Sequence, residues 1–340
     1  MASKGILGCF GYLSILLVAV VGSTFFSAIT GISFYYSFLV CLFLLSWLIE
    51  RFLNSGQEKR SSRYILYSII ITILVFVFNS AFQQNNHTSD YSKDIAEEVY
   101  KEQILEKGDS ITLLSHQRSW LDNYGKSYQG VFSVRQQDYN RTKNNYATYS
   151  RQINPKTWQE LYQYHITTDT PSLDLIIASL DQIRQEQNLN PMAFAEMVVT
   201  FVQDIPYSFV FNEACQSADT YVESIQKILK QCPECCIGEI PYGIQNPTGF
   251  MGNLKGDCDT RTVFIYAILS HFGYDVAILN SDFYQHSILG LNIPASGTYK
   301  TYHGKRYYVW ETTNKSYTIG TLPKNVNNIN HWYFVLTKTN

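Results

Sequence analysis

The sequence predicts an α+β protein in three parts. An N-terminal region of three transmembrane helices is followed by a small β-rich region, and then by a C-terminal core in which a cysteine-bearing helix packs on an antiparallel sheet. Three observations carry this reading. Three apolar stretches open the chain, alternating apolar and polar runs fill residues 111–153, and residues 255–272, KGDCDTRTVFIYAILSHF, place one cysteine where a loop turns into an apolar helix.

The apolar stretches cover residues 5–29, 32–49 and 64–82 and hold no internal charge. Each is about 18 to 25 residues long, enough to span a hydrocarbon core as a helix. The loop between the second and third carries Arg51, Lys59, Arg60 and Arg63, whereas the turn between the first two has no charge. Positive-inside reasoning puts that loop and the N-terminus in the cytoplasm. The expected localisation is therefore a multi-pass cell membrane protein whose chain after residue 82 is extracytoplasmic. The domain division that follows is 1–83 for the transmembrane region, 84–165 for a linker and the β-rich region, and 166–340 for the core.

Net charge is −2 and the basic residues form no sustained stripe, so nothing points to nucleic acid. The 26 tyrosines favour strand surfaces and half-wet interfaces. Cys9 and Cys41 lie in the apolar stretches, and Cys258 stands apart at its helix. The remaining four, Cys215, Cys232, Cys235 and Cys236, permit two disulfides, which need an oxidising compartment, or a zinc site built on the Cys232-x-x-Cys235 pair. His87, His116, His165, His271 and His331 form no metal-ligand pattern, and no cofactor or metal is expected.

In chain order, residues 83–94 read as a polar linker and 95–105 as a short helix. Residues 111–153 read as a β-meander. Its Trp120, Tyr124, Tyr128, Tyr139, Tyr146 and Tyr149 are either cross-strand aromatic pairs or a stacking platform for a polymeric ligand. Helices are predicted over 155–165, 172–187 and 191–205; the second has an apolar stripe at Leu173, Ile176, Ile177, Leu180 and Ile183. Residues 209–254 hold the four paired-off cysteines and read as an insertion ahead of the cysteine helix, placed to influence substrate choice. The chain closes on a strand-like HWYFVL.

The chemistry centres on Cys258. Asp257 is a good N-cap and Gly273 a natural stop, so Cys258 falls in the first helical turn, where unpaired N–H groups and the helix dipole favour a thiolate. Asp257 and Asp259 oppose this, because neighbouring negative charge raises a thiol pKa. A nearby imidazolium has to outweigh them. His286 opens the strand-like HSILGLNI, and Glu311 lies in RYYVWETT. If these strands run antiparallel, His286 and Glu311 become cross-strand neighbours about 5 Å apart at Cβ, with the carboxylate orienting the imidazole. His303 is a weaker rival, placed in a turn before Gly304. Gln203 and Asn253 are candidate oxyanion donors, and Arg261 is expected to pair with Asp257 or Asp259.

These residues resemble the transglutaminase-like superfamily. The likeness is carried by Gly256-Asp257-Cys258-Asp259 ahead of an apolar helix, by Phe272-Gly273-Tyr274 closing it, by His286 before a small-apolar strand, by Trp310-Glu311-Thr312-Thr313, and by FVQDIPY upstream. It covers roughly the last half of the chain. It implies a papain-like core and a Cys258, His286, Glu311 catalytic set, with Glu311 standing where the superfamily usually has Asp. The implied activity is acyl transfer at an amide of a protein or peptide substrate, a cysteine peptidase or amidase of the bacterial transglutaminase-like proteinase type. The alternative is a catalytically silent module of the same fold that binds envelope polypeptide or glycan.

Overall fold

The computed structural model describes residues 99–338. Three strands open it: β1 (Tyr100–Glu106), β2 (Asp109–Leu121) and β3 (Ser127–Arg135), joined as an antiparallel sheet in the order β1-β2-β3. Along β2 the residues His116, Arg118 and Trp120 alternate with exposed neighbours and turn inward. Trp120 lies opposite Tyr128 in the ladder and stacks on it at 5.5 Å. The aromatic residues of this region are thus core pairs: Trp120, Tyr128 and Tyr146 are buried, and only Tyr124 stands well out in solvent. They form no platform.

Two local expectations are corrected here. Part of the predicted helix over 95–105 is instead β1, because a full seven-residue register with β2 is on offer. The end of the predicted meander is a helix, α1 (Gln136–Gln152). Tyr139, Thr142, Tyr146 and Tyr149 are spaced by three, four and three, which is one face of a helix rather than one face of a strand. Asp138 in the first turn and Arg151 in the last agree with the helix dipole.

Next come α2 (Trp158–Asp169), α3 (Asp174–Glu186) and α4 (Pro191–Asp204). The stripe of α3 buries Ile176, Leu180 and Ile183. Helix α4 begins with Asn190 accepting a bond from the Ala193 N–H and with Pro191 in the first turn, and every residue from Phe194 to Gln203 is buried. After the two-residue strand β4 (Phe209–Val210) and α5 (Glu223–Gln231), β5 (Cys236–Ile237) returns parallel to β4. Two disulfides staple this insertion, Cys215–Cys236 and Cys232–Cys235, with Cα separations of 6.3 and 5.3 Å. Disulfide sulfurs are not thiolate ligands, so the zinc reading of these cysteines falls away.

Helix α6 (Pro247–Asn253) leads to α7 (Cys258–His271), which is buried on every side and stops at Gly273, whose φ of +86° needs glycine. It packs on a second sheet, antiparallel throughout, of β6 (Val276–Ser281), β7 (His286–Leu291), β8 (Tyr299–Tyr302), β9 (Lys305–Trp310) and β10 (Tyr333–Thr337), in the order β10-β6-β7-β9-β8. The terminal strand completes that sheet at the β6 edge.

The expected transmembrane spans and the linker at 83–94 lie outside the described residues. Among the described residues, no helix is long and apolar enough to cross a membrane. The apolar helices α4 and α7 hold 14 residues each. At 1.5 Å per residue that is about 21 Å, short of a hydrocarbon core of about 30 Å. The three-helix membrane fold class and the multi-pass localisation are therefore withdrawn, and the fold described is α+β.

Two buried histidines bear on stability. His116 stacks against Phe132 and Phe201, and His165 packs edge-to-face with Tyr146; neither ring has a hydrogen-bond partner. Burial holds both near 3, with Arg118 adding to the effect at His116. The unfolded chain binds their protons from about pH 6.5 downward and the folded one does not, so stability falls between those limits, by about 1.4 kcal/mol per pH unit for each histidine. Urea melts between pH 7.5 and 5 will show this slope, and His165→Phe will flatten it; an unchanged slope would refute the assignment.

Candidate active site

The site is assembled where the first turn of α7 meets the start of β7. Asp257 caps the helix, accepting a bond from the Thr260 N–H at 3.1 Å. Gly256 precedes it where a Cβ would press into Phe250 and Thr260. Its carbonyl accepts from the Ser208 N–H and from Arg261 Nε. Arg261 is fully buried, and its guanidinium also donates to the carbonyls of Val202, Ile205 and Pro206. It therefore ties the end of α4 to the loop before Cys258, while its charge still lowers the Asp257 carboxyl. Ion pairing with the aspartates is not its main work.

Cys258 is the free cysteine among the described residues and is buried. Its thiol donates to Asp259 Oδ2 at 3.7 Å, and the backbone N–H of Ser287 faces the sulfur. Asp259 in turn accepts a bond from the Tyr162 hydroxyl, which accepts one from Asn280 Nδ2 at 2.8 Å. Burial pushes the Cys258 thiol well up, and Asp259 and Asp257 push it further. Both aspartates are themselves raised by burial, and Asp257 also by the charge of Asp259. Burial and the two carboxyl groups thus oppose the helix dipole at the sulfur.

His286 opens β7, which pairs antiparallel with β9, Leu289 facing Trp310. Continuing that register by one residue sets Glu311 opposite Ile288, so His286 is its diagonal neighbour rather than its direct partner. The longer Glu side chain covers the offset: His286 Nε2 meets Glu311 Oε2 at 2.8 Å. Glu311 is fully buried, and its other oxygen accepts from the N–H groups of Thr312 and Thr313 and from the Thr313 hydroxyl. Against the upward push of burial, His286 and Thr313 hold Glu311 below the ordinary glutamate range. For His286, burial pushes downward, but the Glu311 bond and charge, with Asp259 and Asp257, leave it raised. The bond to Glu311 fixes the proton on Nε2 and leaves Nδ1 as the nitrogen not held by Glu311. The Trp332 ring packs edge-to-face with the imidazole, their centroids 5.9 Å apart.

Comparison with family models, with curated proteins and with solved structures returns no match. The functional reading therefore rests on this geometry and these residues.

Other sequence candidates fall elsewhere. Gln203 donates both amide hydrogens to carbonyls, Glu311 O at 2.7 Å and Tyr317 O at 3.0 Å, so it positions the loop after β9 and has no hydrogen left for an oxyanion. Asn253 exchanges amide bonds with Gln245. His303 sits in the β8–β9 turn with a φ of 46°. Among the described residues, no cluster of His, Cys, Asp or Glu is arranged to hold a metal. Sequence reasoning missed Tyr162, Asn280 and the hydrogen-bond role of Asp259; only the placement of Asp259 beside the cysteine hinted at the last.

Proposed function

We propose that the protein is a thiol enzyme of the transglutaminase-like kind, acting on amide bonds of a peptide or protein as a peptidase or amidase. The observation that supports it is the 2.8 Å bond between His286 and a fully buried Glu311, set beside the first turn of a helix that begins with a free cysteine. In the reaction, the thiol leaves Asp259 and turns to His286. As Cys258 Sγ attacks the amide carbonyl, its proton passes to Nδ1, and the Cys258 N–H is one donor to the oxyanion. The imidazolium, held by Glu311, then protonates the departing amine, giving a thioester and neutral imidazole. Water attacks the thioester, its proton goes to His286 and on to the sulfur, and the acid is released.

The test is the pH profile of Cys258 alkylation by iodoacetamide in the full chain, read by peptide mass spectrometry. In His286→Ala the labelling of Cys258 near neutral pH will fall by about tenfold or more, because no imidazole is left to take up the thiol proton. A raised resting thiol is what favours the alternative, a catalytically silent module that binds polypeptide or glycan. Identical profiles in the two chains would leave that alternative standing.

A further inference from the structure

Acyl transfer at Cys258 calls for a second hydrogen-bond donor to the oxyanion besides the Cys258 N–H, and the polar side chains around the sulfur are held elsewhere. The Ser287 N–H faces the sulfur itself. Asn280 Nδ2 donates to Tyr162, and the Tyr162 hydroxyl donates to Asp259. Trp332 Nε1 donates to the Val326 carbonyl at 3.0 Å, and the amides of Gln203 and Asn253 are engaged as described above.

Tyr207 differs from all of these. It follows Ile205 and Pro206, whose carbonyls Arg261 grips, and precedes Ser208, whose N–H bonds the Gly256 carbonyl at 3.3 Å. Its backbone is therefore tied on both sides to the segment that enters α7. Its ring lies under the Arg261 guanidinium at 5.6 Å and packs edge-to-face with Phe209, their centroids 5.3 Å apart. Burial raises the Tyr207 hydroxyl well above the ordinary tyrosine range, and the foremost charge adding to this is that of a Cys258 thiolate, ahead of Asp257. The phenol thus keeps its proton, as a donor must. Tyr162 also feels Cys258, but its hydroxyl is already bonded and its side chain is sealed from solvent. The Tyr207 hydroxyl has no hydrogen-bond partner among the described residues, and the residue is only half-buried.

We infer that Tyr207 is the second oxyanion donor, its hydroxyl hydrogen-bonding the substrate carbonyl oxygen as Cys258 Sγ attacks the carbon. This assignment rests on the thiol-enzyme reading above. The S–C bond forms as the carbonyl π pair moves onto oxygen, where the phenol O–H and the Cys258 N–H hold it. On collapse the pair returns to the carbonyl and the leaving group departs with its bonding electrons. The phenol lends its hydrogen without transferring it, so His286 remains the group that takes and returns the proton.

Two reagents separate this role from an effect on the sulfur or on folding. Iodoacetamide loses iodide from a saturated carbon and forms no oxyanion, whereas p-nitrophenyl acetate acylates a thiol through one. The experiment compares the full chain with its Tyr207→Phe variant, which keeps the ring against Arg261 and Phe209 and removes only the hydroxyl. Acetylation is read as p-nitrophenolate released in the first turnover and as acetyl on Cys258 by peptide mass spectrometry. In Tyr207→Phe the acetylation of Cys258 will slow by about 10²-fold, the usual cost of losing one oxyanion donor, while alkylation by iodoacetamide proceeds at the wild-type rate. Equal losses with both reagents would overturn the inference, since the hydroxyl would then act on the sulfur or on the fold. Acetylation of the variant at the wild-type rate would overturn it alone and leave the thiol-enzyme reading intact. A wild-type chain whose Cys258 is alkylated but never acetylated would overturn that reading and this inference with it.

Discussion

Replacing Arg261 with methionine will destabilise the protein by about 4 kcal/mol, at the upper end for a single substitution. The side chain is fully buried, and its guanidinium answers four carbonyl oxygens, those of Val202, Ile205, Pro206 and Gly256. Methionine fills much of the space and answers none of them. Each buried acceptor left without a donor costs about 1 to 3 kcal/mol, part of which the chain recovers by relaxing. The cost is local to the site, since the same bonds fix the entry into α7 and the end of α4. Thermal melting of the full chain will fall by roughly 10 °C or more, from 2 to 4 °C per kcal/mol at this size. Lysine at this position will rescue little, because one ammonium cannot reproduce the planar fork. A melt within a degree or two of wild type would show that the carbonyls find other partners.

This residue also shows how far the sequence could be read. A charged residue three places after Cys258, just past two aspartates in sequence, reads as an ion-pair partner. What it does instead depends on where α4 ends in space, which no local pattern records. The apolar helices α3, α4 and α7 were legible because their caps, stripes and stops agree with one another: Asn190 before Pro191, Asp257 before Cys258, Gly273 after the last turn. Helix α1 was not, since its buried stripe is built from tyrosines and a threonine, residues that equally suit strands. The pairing of His286 with Glu311 followed from two strand faces and an antiparallel guess. Its diagonal offset follows from a register that only the folded sheet fixes. The insertion's pairing of Cys215 with Cys236 was one of several open connectivities, and nothing in the spacing chose it.

A large expected effect on the thiol, opposite in direction to that of His286→Ala, comes from Asp259. Its carboxylate takes the Cys258 S–H bond and is the foremost charge raising that thiol, after burial itself. Asp259→Asn keeps an oxygen for the Tyr162 hydroxyl but removes the charge. The thiolate is thereby favoured, and the alkylation profile of Cys258 will move to lower pH. While the thiol is mostly protonated, each unit of that shift multiplies the thiolate at a fixed pH by about ten, so labelling at pH 7 will rise by about tenfold. The same change removes one of the charges that raise His286, which works against the thiolate. Proximity decides between the two: Asp259 hydrogen-bonds the sulfur directly, whereas His286 keeps its bonded carboxylate at Glu311. An unchanged profile, or slower labelling at neutral pH, would mean that burial alone holds the proton on sulfur. In that case the resting thiol is set by its access to solvent, and substrate entry rather than the neighbouring aspartate would have to release it.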